Sequence, residues 1–191
     1  MKYPNLFKAF NTHIDLDIDV YLDLEDRLVH KKIGKKDFLF KQGEVVNYLP
    51  FINDGLMINN IIDKDGEEHV IQIRGTGLWL GDLYSFFSGA TTGFNIQAYQ
   101  PTEVLMINHE TFDYMTKNHP VYEKYFRLSI QNAYVQTLNR IYNLHSASAE
   151  ERYLELIKNI PELFDKIPHY IIASHLNIKP QSLSRIRKNL K

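Results

Sequence analysis

The periodicity of this chain switches near Pro120, and that switch limits the folds open to it. From about Lys35 to Asn108, short runs rich in β-branched and aromatic residues alternate with turn signals. DFLF precedes KQGE, NYLPFI precedes the tight turn Asn53-Asp54-Gly55, and LMINNII and HVIQI flank DKDGEE. The last is a hairpin signature centred on Asp65-Gly66. RGTG and the stretch around Gly81 punctuate again, and FNIQAYQ and TEVLMIN follow. Many short strands at even spacing predict a sandwich, jelly roll or small barrel. Ahead of it, residues 14–30 read as helical, with Ile14, Ile18, Tyr21, Leu22 and Leu28 on one face. Beyond Pro120, Ile130, Tyr134, Thr137, Ile141 and Leu144 step by three and four, a short coiled-coil-like seam. Val121, Leu128, Val135 and Tyr142 make a second stripe at seven-residue intervals. One stripe can cover the β domain while the other meets the same helix of a second subunit. The alternative is a helix that packs both stripes on its own domain. HSASAEERYLELIKN then reads as a link and a new helix, with Ser148 and Glu151 as a capping box.

The expected fold class is therefore α+β. Residues 1–119 form a double-stranded β-helix, or jelly roll. Residues 120–145 form one long helix. Residues 146–191 form a small all-α unit that needs support from that helix.

The charge distribution says more than its sum. The net charge is −1, yet the last fifteen residues, Asn177 to Lys191, carry five Lys or Arg and no acid. Such asymmetry fits a polyanion-binding segment on a near-neutral carrier. There are no cysteines, which excludes disulfides, thiolate metal sites and Cys nucleophiles. No stretch has the length of a signal peptide's apolar core or of a membrane span, so no membrane partner and a cytoplasmic setting are expected.

IPHYIIASHLNIKPQSLSRIRKNL has the layout of a helix-turn-helix. Ile172, Leu176, Ile178, Leu183 and Ile186 fall where two crossed helices face inward, and Ala173 lets them approach. Asn177 sits at the corner, which needs a left-handed backbone. Pro180 suits the first turn of the second helix. On a wheel of 100° per residue, Leu183, Ile186 and Leu190 share one side. Gln181, Ser184, Arg185 and Lys188 share the other. Gln pairs with adenine and Arg with guanine in the major groove, while Ser and Lys suit phosphate oxygens. The plain alternative is a solvated basic face on a small bundle.

A β-roll, one long helix and a helix-turn-helix, in that order, resemble the Crp/Fnr family of bacterial regulators. The resemblance rests on FKQGEVVNYLPFINDGLM, GDLYSFFSGATTGFNIQA and KPQSLSRIRKNL, and covers nearly the whole chain. It implies a homodimer whose long helices pair, an effector site in the roll, and DNA-reading helices set for a near-palindromic operator. The family's Glu-x-x-Ser-Arg reading pattern is matched by Gln181, Ser184 and Arg185. Lys179 and Ser182 match positions on the DNA backbone. Many relatives add a β-hairpin wing after the reading helix, and none follows here, so a wingless unit is expected.

The same resemblance places an effector pocket at Gly81, Asp82 and Leu83, with Thr91 and Thr92 opposite and Thr137 on the long helix. Thr92 and Gly93 occupy the Arg and Ser positions that hold a cyclic phosphate in nucleotide-binding relatives. No Arg or Lys occurs from Gly75 to Pro101. A buried phosphate there would lack its charge partner, so no tight cyclic AMP binding is expected. The pocket then either takes a neutral polar ligand or is vestigial and filled by Phe86, Phe87 and Phe94. Cofactors are expected to be none. His69 and His109 lie far apart with no His-x-His pair, so no metal site is expected. No nucleophile–base pair or Gly-rich phosphate loop marks an enzyme. Asp15, Asp17 and Asp19 read as an acidic face flanking a helix. The expectation is a homodimeric DNA-binding regulator. The competing class is a ligand-binding or interaction module of the same fold without specific DNA binding.

Overall fold

The computed structural model describes residues 1–159 and 167–190. Close packing divides the chain into two compact units: residues 1–61 with 72–130, and residues 62–71 with 131–191.

The first unit is built on a pair of antiparallel sheets. Its strands are β1 (Val29–Ile33), β2 (Phe38–Phe40), β3 (Tyr48–Asp54), β4 (Leu56–Ile62), β5 (Glu68–Gly75), β6 (Asn95–Ala98) and β7 (Thr102–Asn108), with the far ends of β4 and β5 belonging to the second unit. One sheet has the order β1-β7-β3 and the other β2-β6-β4-β5. The central strand β7 and its neighbour β3 are apolar on both faces, as strands covered on both sides must be. Leu49, Phe51, Leu105 and Ile107 point one way, into a cluster with the helices. Ile52, Val104 and Met106 point the other way and meet Met57, Ile96 and Ala98 of the second sheet. The period-2 alternation of side chains makes one strand serve two cores.

The corner between the sheets depends on glycine. Gly55 lies between β3 and β4 at φ +119°, and a Cβ there would lie 2.5 Å from Thr102 Oγ1 and 2.8 Å from Thr102 Cα. The Asn53–Gly55 turn is thus a crossing from sheet to sheet. The Asp63–Glu67 loop is a true hairpin. Asp63 Oδ1 accepts from the backbone N–H groups of Asp65 and Glu67, and Gly66 adopts φ +81°.

The single helix read over residues 14–30 is not what forms. There are two short helices, α1 (Pro4–Phe10) and α2 (Ile18–Glu25), and the chain is already in β1 by Val29. The break has a local cause. Asn11 Oδ1 takes the N–H of Leu16 across the gap. Asp17 then caps α2 by accepting from Asp19 and Val20. Two members of the Asp15/Asp17/Asp19 set are therefore a cap and a first-turn acid. Glu25 Oε1 accepts from the N–H groups of Lys2 and Tyr3, and Tyr21 OH donates to Tyr3 O, which ties α1 to α2.

Helices α3 (Leu83–Ser88), α4 (His109–Asn118) and the start of α5 (Pro120–Ser146) complete the first unit. Phe10 stands edge-on to Tyr122 and Tyr125 at 5.1 and 4.5 Å between ring centroids. Trp79 Nε1 donates to Tyr125 OH at 2.9 Å. Tyr122, Tyr125 and Phe126 are buried, and this aromatic cluster fixes the first three turns of α5.

The second unit holds the rest of α5, then α6 (Ala149–Asn159), α7 (His169–His175) and α8 (Pro180–Asn189). The capping box forms as read: Ser148 N donates to Glu151 Oε2, and Glu151 N to Ser148 Oγ. Among the described residues no helix is long and apolar enough to cross a membrane.

Candidate functional site

The pair α7 and α8 is a short crossed arrangement. Asn177 is in the left-handed region at φ +54°, and Ile178 N reaches back to Ala173 O at 3.0 Å. Pro180 opens α8, where no intrahelical N–H is lost. Ile172, Ala173 and Leu183 are fully buried between the helices, and Leu176 nearly so. Ile178 and Ile186 are half-buried. Leu190, read as part of the inward side, is 42% exposed and lies just past the end of α8 at Asn189.

The opposite side of α8 faces solvent. Lys179, Gln181, Ser184, Arg185 and Lys188 are exposed and Ser182 is half-buried. Ser184 Oγ donates to Pro180 O, its own helix. Arg185 Nη2 makes one long contact of 3.4 Å to Ser182 Oγ. The face thus gathers three cations, an amide and two hydroxyls with few internal bonds, and it carries no acid.

Polar anchors that the sequence did not reveal hold this pair within its unit. Ser174 Oγ accepts from Val70 N at 2.9 Å and donates to Glu68 O at 3.0 Å, so α7 grips the tip of the β4–β5 hairpin. The Arg140 guanidinium donates to Ile71 O and His175 O. Arg152 donates to Ala147 O and Leu176 O. A Ser next to the buried Ile171-Ile172-Ala173 run of a short helix was the signal available for the first of these. Near the same tip, Asp63, Glu67 and His69 bring ligand atoms within 4.8 Å of one another, and His69 Nε2 is 2.6 Å from Asp63 Oδ2. His69 is therefore not the lone residue that its sequence position implied.

Helix α5 is apolar where it faces water. Tyr134, Val135, Ile141 and Tyr142 are about half exposed or more, and Ile130 and Leu144 are also open. Thr137 is exposed, and its hydroxyl donates to Ala133 O of the same helix.

The residues read as an effector pocket fall into two groups. Gly81, Asp82, Leu83, Thr91 and Thr92 lie in the first unit, whereas Thr137 belongs to the second. Asp82 and Thr92 are buried and bonded to each other, Thr92 Oγ1 donating to Asp82 Oδ2 at 2.8 Å. The other oxygen of Asp82 caps α3 through Tyr84 N and Ser85 N. The backbone of Thr92 is spent on Glu44 and Gly43. Ser85 Oγ accepts from Val46 N and donates to Ala90 O. The polar groups of Asp82, Ser85 and Thr92 are thus engaged within this loop and by Gly43, Glu44 and Val46. Thr91 and Gly93 are exposed, and Leu83 packs on the aromatic cluster. Of the three phenylalanines expected to fill the pocket, Phe86 is buried in the helix-side cluster and stacked on His109 at 3.9 Å, while Phe87 is half exposed.

Comparison with known proteins bears on the whole arrangement. Residues 30–119 match the family model of the cyclic nucleotide-binding domain. No curated protein matches the sequence. Solved structures match over nearly the whole chain. The c-di-GMP-responsive global regulator CLP of Xanthomonas campestris has a TM-score of 0.73 at 13% identity, over 91% of each chain. A CooA variant from Carboxydothermus hydrogenoformans gives 0.72 at 16% identity, over 97% of this chain and 83% of that one. The catabolite activator protein of Thermus thermophilus gives 0.60 at 16% identity, over 92% and 84%.

Proposed function

From a chain that carries a cyclic nucleotide-binding domain at residues 30–119 and has the fold of Crp/Fnr-family regulators, we infer a homodimeric DNA-binding transcription regulator. The α7–α8 pair acts as a helix-turn-helix, with α8 entering the major groove. Arg185 reads guanine and Gln181 an adjacent base, while Lys179, Ser182, Ser184 and Lys188 engage phosphates. The observation that carries this is the exposed Gln181/Ser184/Arg185/Lys188 face, set over the buried Leu183 and turned by a left-handed Asn177.

Dimerisation follows from α5. Tyr134 and Ile141, and Val135 and Tyr142, are spaced by seven, and all four are exposed. That is the repeat by which two helices pair, and a second copy of α5 covers it. The Asp82–Thr92 pair leaves no cation for a cyclic phosphate at that loop, so the roll does not respond to cyclic AMP.

The test starts with selection of bound sequences from a random DNA pool, then anisotropy titrations of the selected site at several salt concentrations. Arg185→Ala costs about 1–3 kcal/mol on the preferred site and relaxes its sequence preference. Lys188→Ala weakens binding to all sequences alike and lowers the salt slope by about one. Arg185→Ala binding the selected site as tightly as wild type would remove the base-reading role. Affinity that does not change with salt would remove DNA recognition altogether.

A further inference from the structure

The inward face of the second sheet holds polar groups that the core does not use. Asn59 on β4 lies on the side of Met57 and opposite Ile96, both of which belong to the inter-sheet core. It is 2% exposed. Its Nδ2 donates to Gln72 Oε1 on the neighbouring strand β5 at 3.3 Å, which puts Gln72 on the same face. Its Oδ1 is buried and accepts no hydrogen bond among the described residues.

Arg74 is two residues beyond Gln72 on β5, so it points to that same face. It is half-buried. Its only hydrogen bond among the described residues runs from Nη1 to the carbonyl of Ile73, next to it in the chain. No described carboxylate pairs with it, and burial alone pulls the guanidinium below its ordinary pKa. A guanidinium has five N–H donors and cannot relieve the cost of burial by losing its proton. One donor satisfied out of five is an open site for an acceptor, and an anion is the acceptor that also offsets the charge.

The two open groups are complementary in kind. Arg74 needs a negatively charged acceptor, and Asn59 Oδ1 needs a donor. Diagonal neighbours on adjacent strands stand about 7–8 Å apart, the span of a short bifunctional molecule. We propose that Arg74, Gln72 and Asn59 form a binding site for a small organic anion whose carboxylate or phosphate is held by Arg74 and whose hydroxyl or amine donates to Asn59. The charge comes from β5 rather than from the Asp82–Thr92 loop. The site gives the roll a ligand class, and in this it rests on the reading of the roll as a sensing domain.

The experiment uses the full chain and a thermal-shift assay, with sodium chloride at equal ionic strength as reference. The probes are malate, succinate, glutamate and glycerol 3-phosphate, with cyclic AMP alongside. Malate and succinate differ only in the hydroxyl, and glycerol 3-phosphate separates phosphate from carboxylate recognition. Expected is a rise in Tm with at least one of malate, glutamate and glycerol 3-phosphate, and a smaller rise or none with succinate. Arg74→Gln weakens that binding by at least about tenfold, the loss of a charge-assisted bond. Asn59→Leu erases the difference between malate and succinate. Without any probe, Arg74→Met keeps or raises Tm, since a half-buried charge with no described carboxylate partner is removed. The proposal is overturned if none of the three probes shifts Tm beyond chloride, if cyclic AMP alone does, if Arg74→Gln responds like wild type, or if Arg74→Met lowers the probe-free Tm by several degrees. DNA binding by the untreated protein is measured in parallel, so loss of this site and loss of the regulator reading are separable results.

Discussion

Replacing Leu183 by alanine tests whether α8 is held by its buried side, the premise on which a reading face depends. Leu183 has no exposed surface. The change removes three carbons, worth about 2.4 kcal/mol at roughly 0.8 kcal/mol per buried methylene. The cavity left between α7 and α8 raises the cost to about 3 kcal/mol. In a compact unit of under about 100 residues, each kcal/mol lowers Tm by roughly 4–8 °C, so the second unit should melt about 12 °C or more below wild type. The chain offers a way to see this unit by itself. Its single tryptophan, Trp79, is in the first unit, packed 5.3 Å from Phe51 and 5.8 Å from Phe126. Tryptophan fluorescence therefore reports the first unit, while far-UV circular dichroism reports the helices of both. The expected result is a lower dichroism transition with the fluorescence transition in place. A fall of less than about 4 °C in the dichroism transition would mean that Leu183 does not clamp α8, and the argument for an outward reading face would go with it.

Three further outcomes follow from local chemistry. At Asn177, φ +54° is left-handed, so Asn177→Gly leaves Tm nearly unchanged, whereas Asn177→Val costs about 1–3 kcal/mol by thermal melting. Glu103 is held below the ordinary carboxylate range, chiefly by the Asn53 amide that donates to it at 2.6 Å and also by His30. A lowered folded-state pKa gives stability that is present above the unfolded value and lost as pH falls through the folded one. Asn53→Ala therefore moves the acid-unfolding midpoint to higher pH and leaves stability at neutral pH lowered but flat, as an acid titration followed by fluorescence will show. Cyclic AMP at about 1 mM leaves Tm unchanged, whereas a micromolar binder at that concentration would add about 4 kcal/mol of stability.

What the sequence exposed and what it hid have physical reasons. The corner of the α7–α8 pair was legible because Asn177 and Pro180 each answer a backbone requirement that few residues meet, and such requirements are local. The Ser148–Glu151 cap was legible for the same reason. Residues 14–30 were misread as one helix because their apolar spacing was continuous while their hydrogen bonding was not. The break is made by the side chains of Asn11 and Asp17, and periodicity alone does not register a cap inside a stripe. Leu190 was misplaced because a helical wheel has no end, whereas α8 does.

The candidate sites divide along the same line. The outward face of α8 follows from one helix and its period, so its members could be named in advance. The inward face of the roll joins residues from β4, β5 and β6, and a sheet's neighbours are set by topology that no short motif records. The family pattern places a phosphate-binding cation between Gly75 and Pro101, where this chain has none. The nearest one, Arg74, lies one residue outside that window, on β5, and that no described carboxylate stands beside it is visible only once the strands are assembled. Asp82 was read as a member of the effector pocket. In the structure its charge is met by Thr92 and by the N-terminal amides of α3, so its carboxylate is engaged at the loop. The two features belong together: the engaged Asp82–Thr92 pair leaves no cation for a phosphate at the loop, and under the proposal above the Arg74 guanidinium, with no described carboxylate partner, takes a different anion.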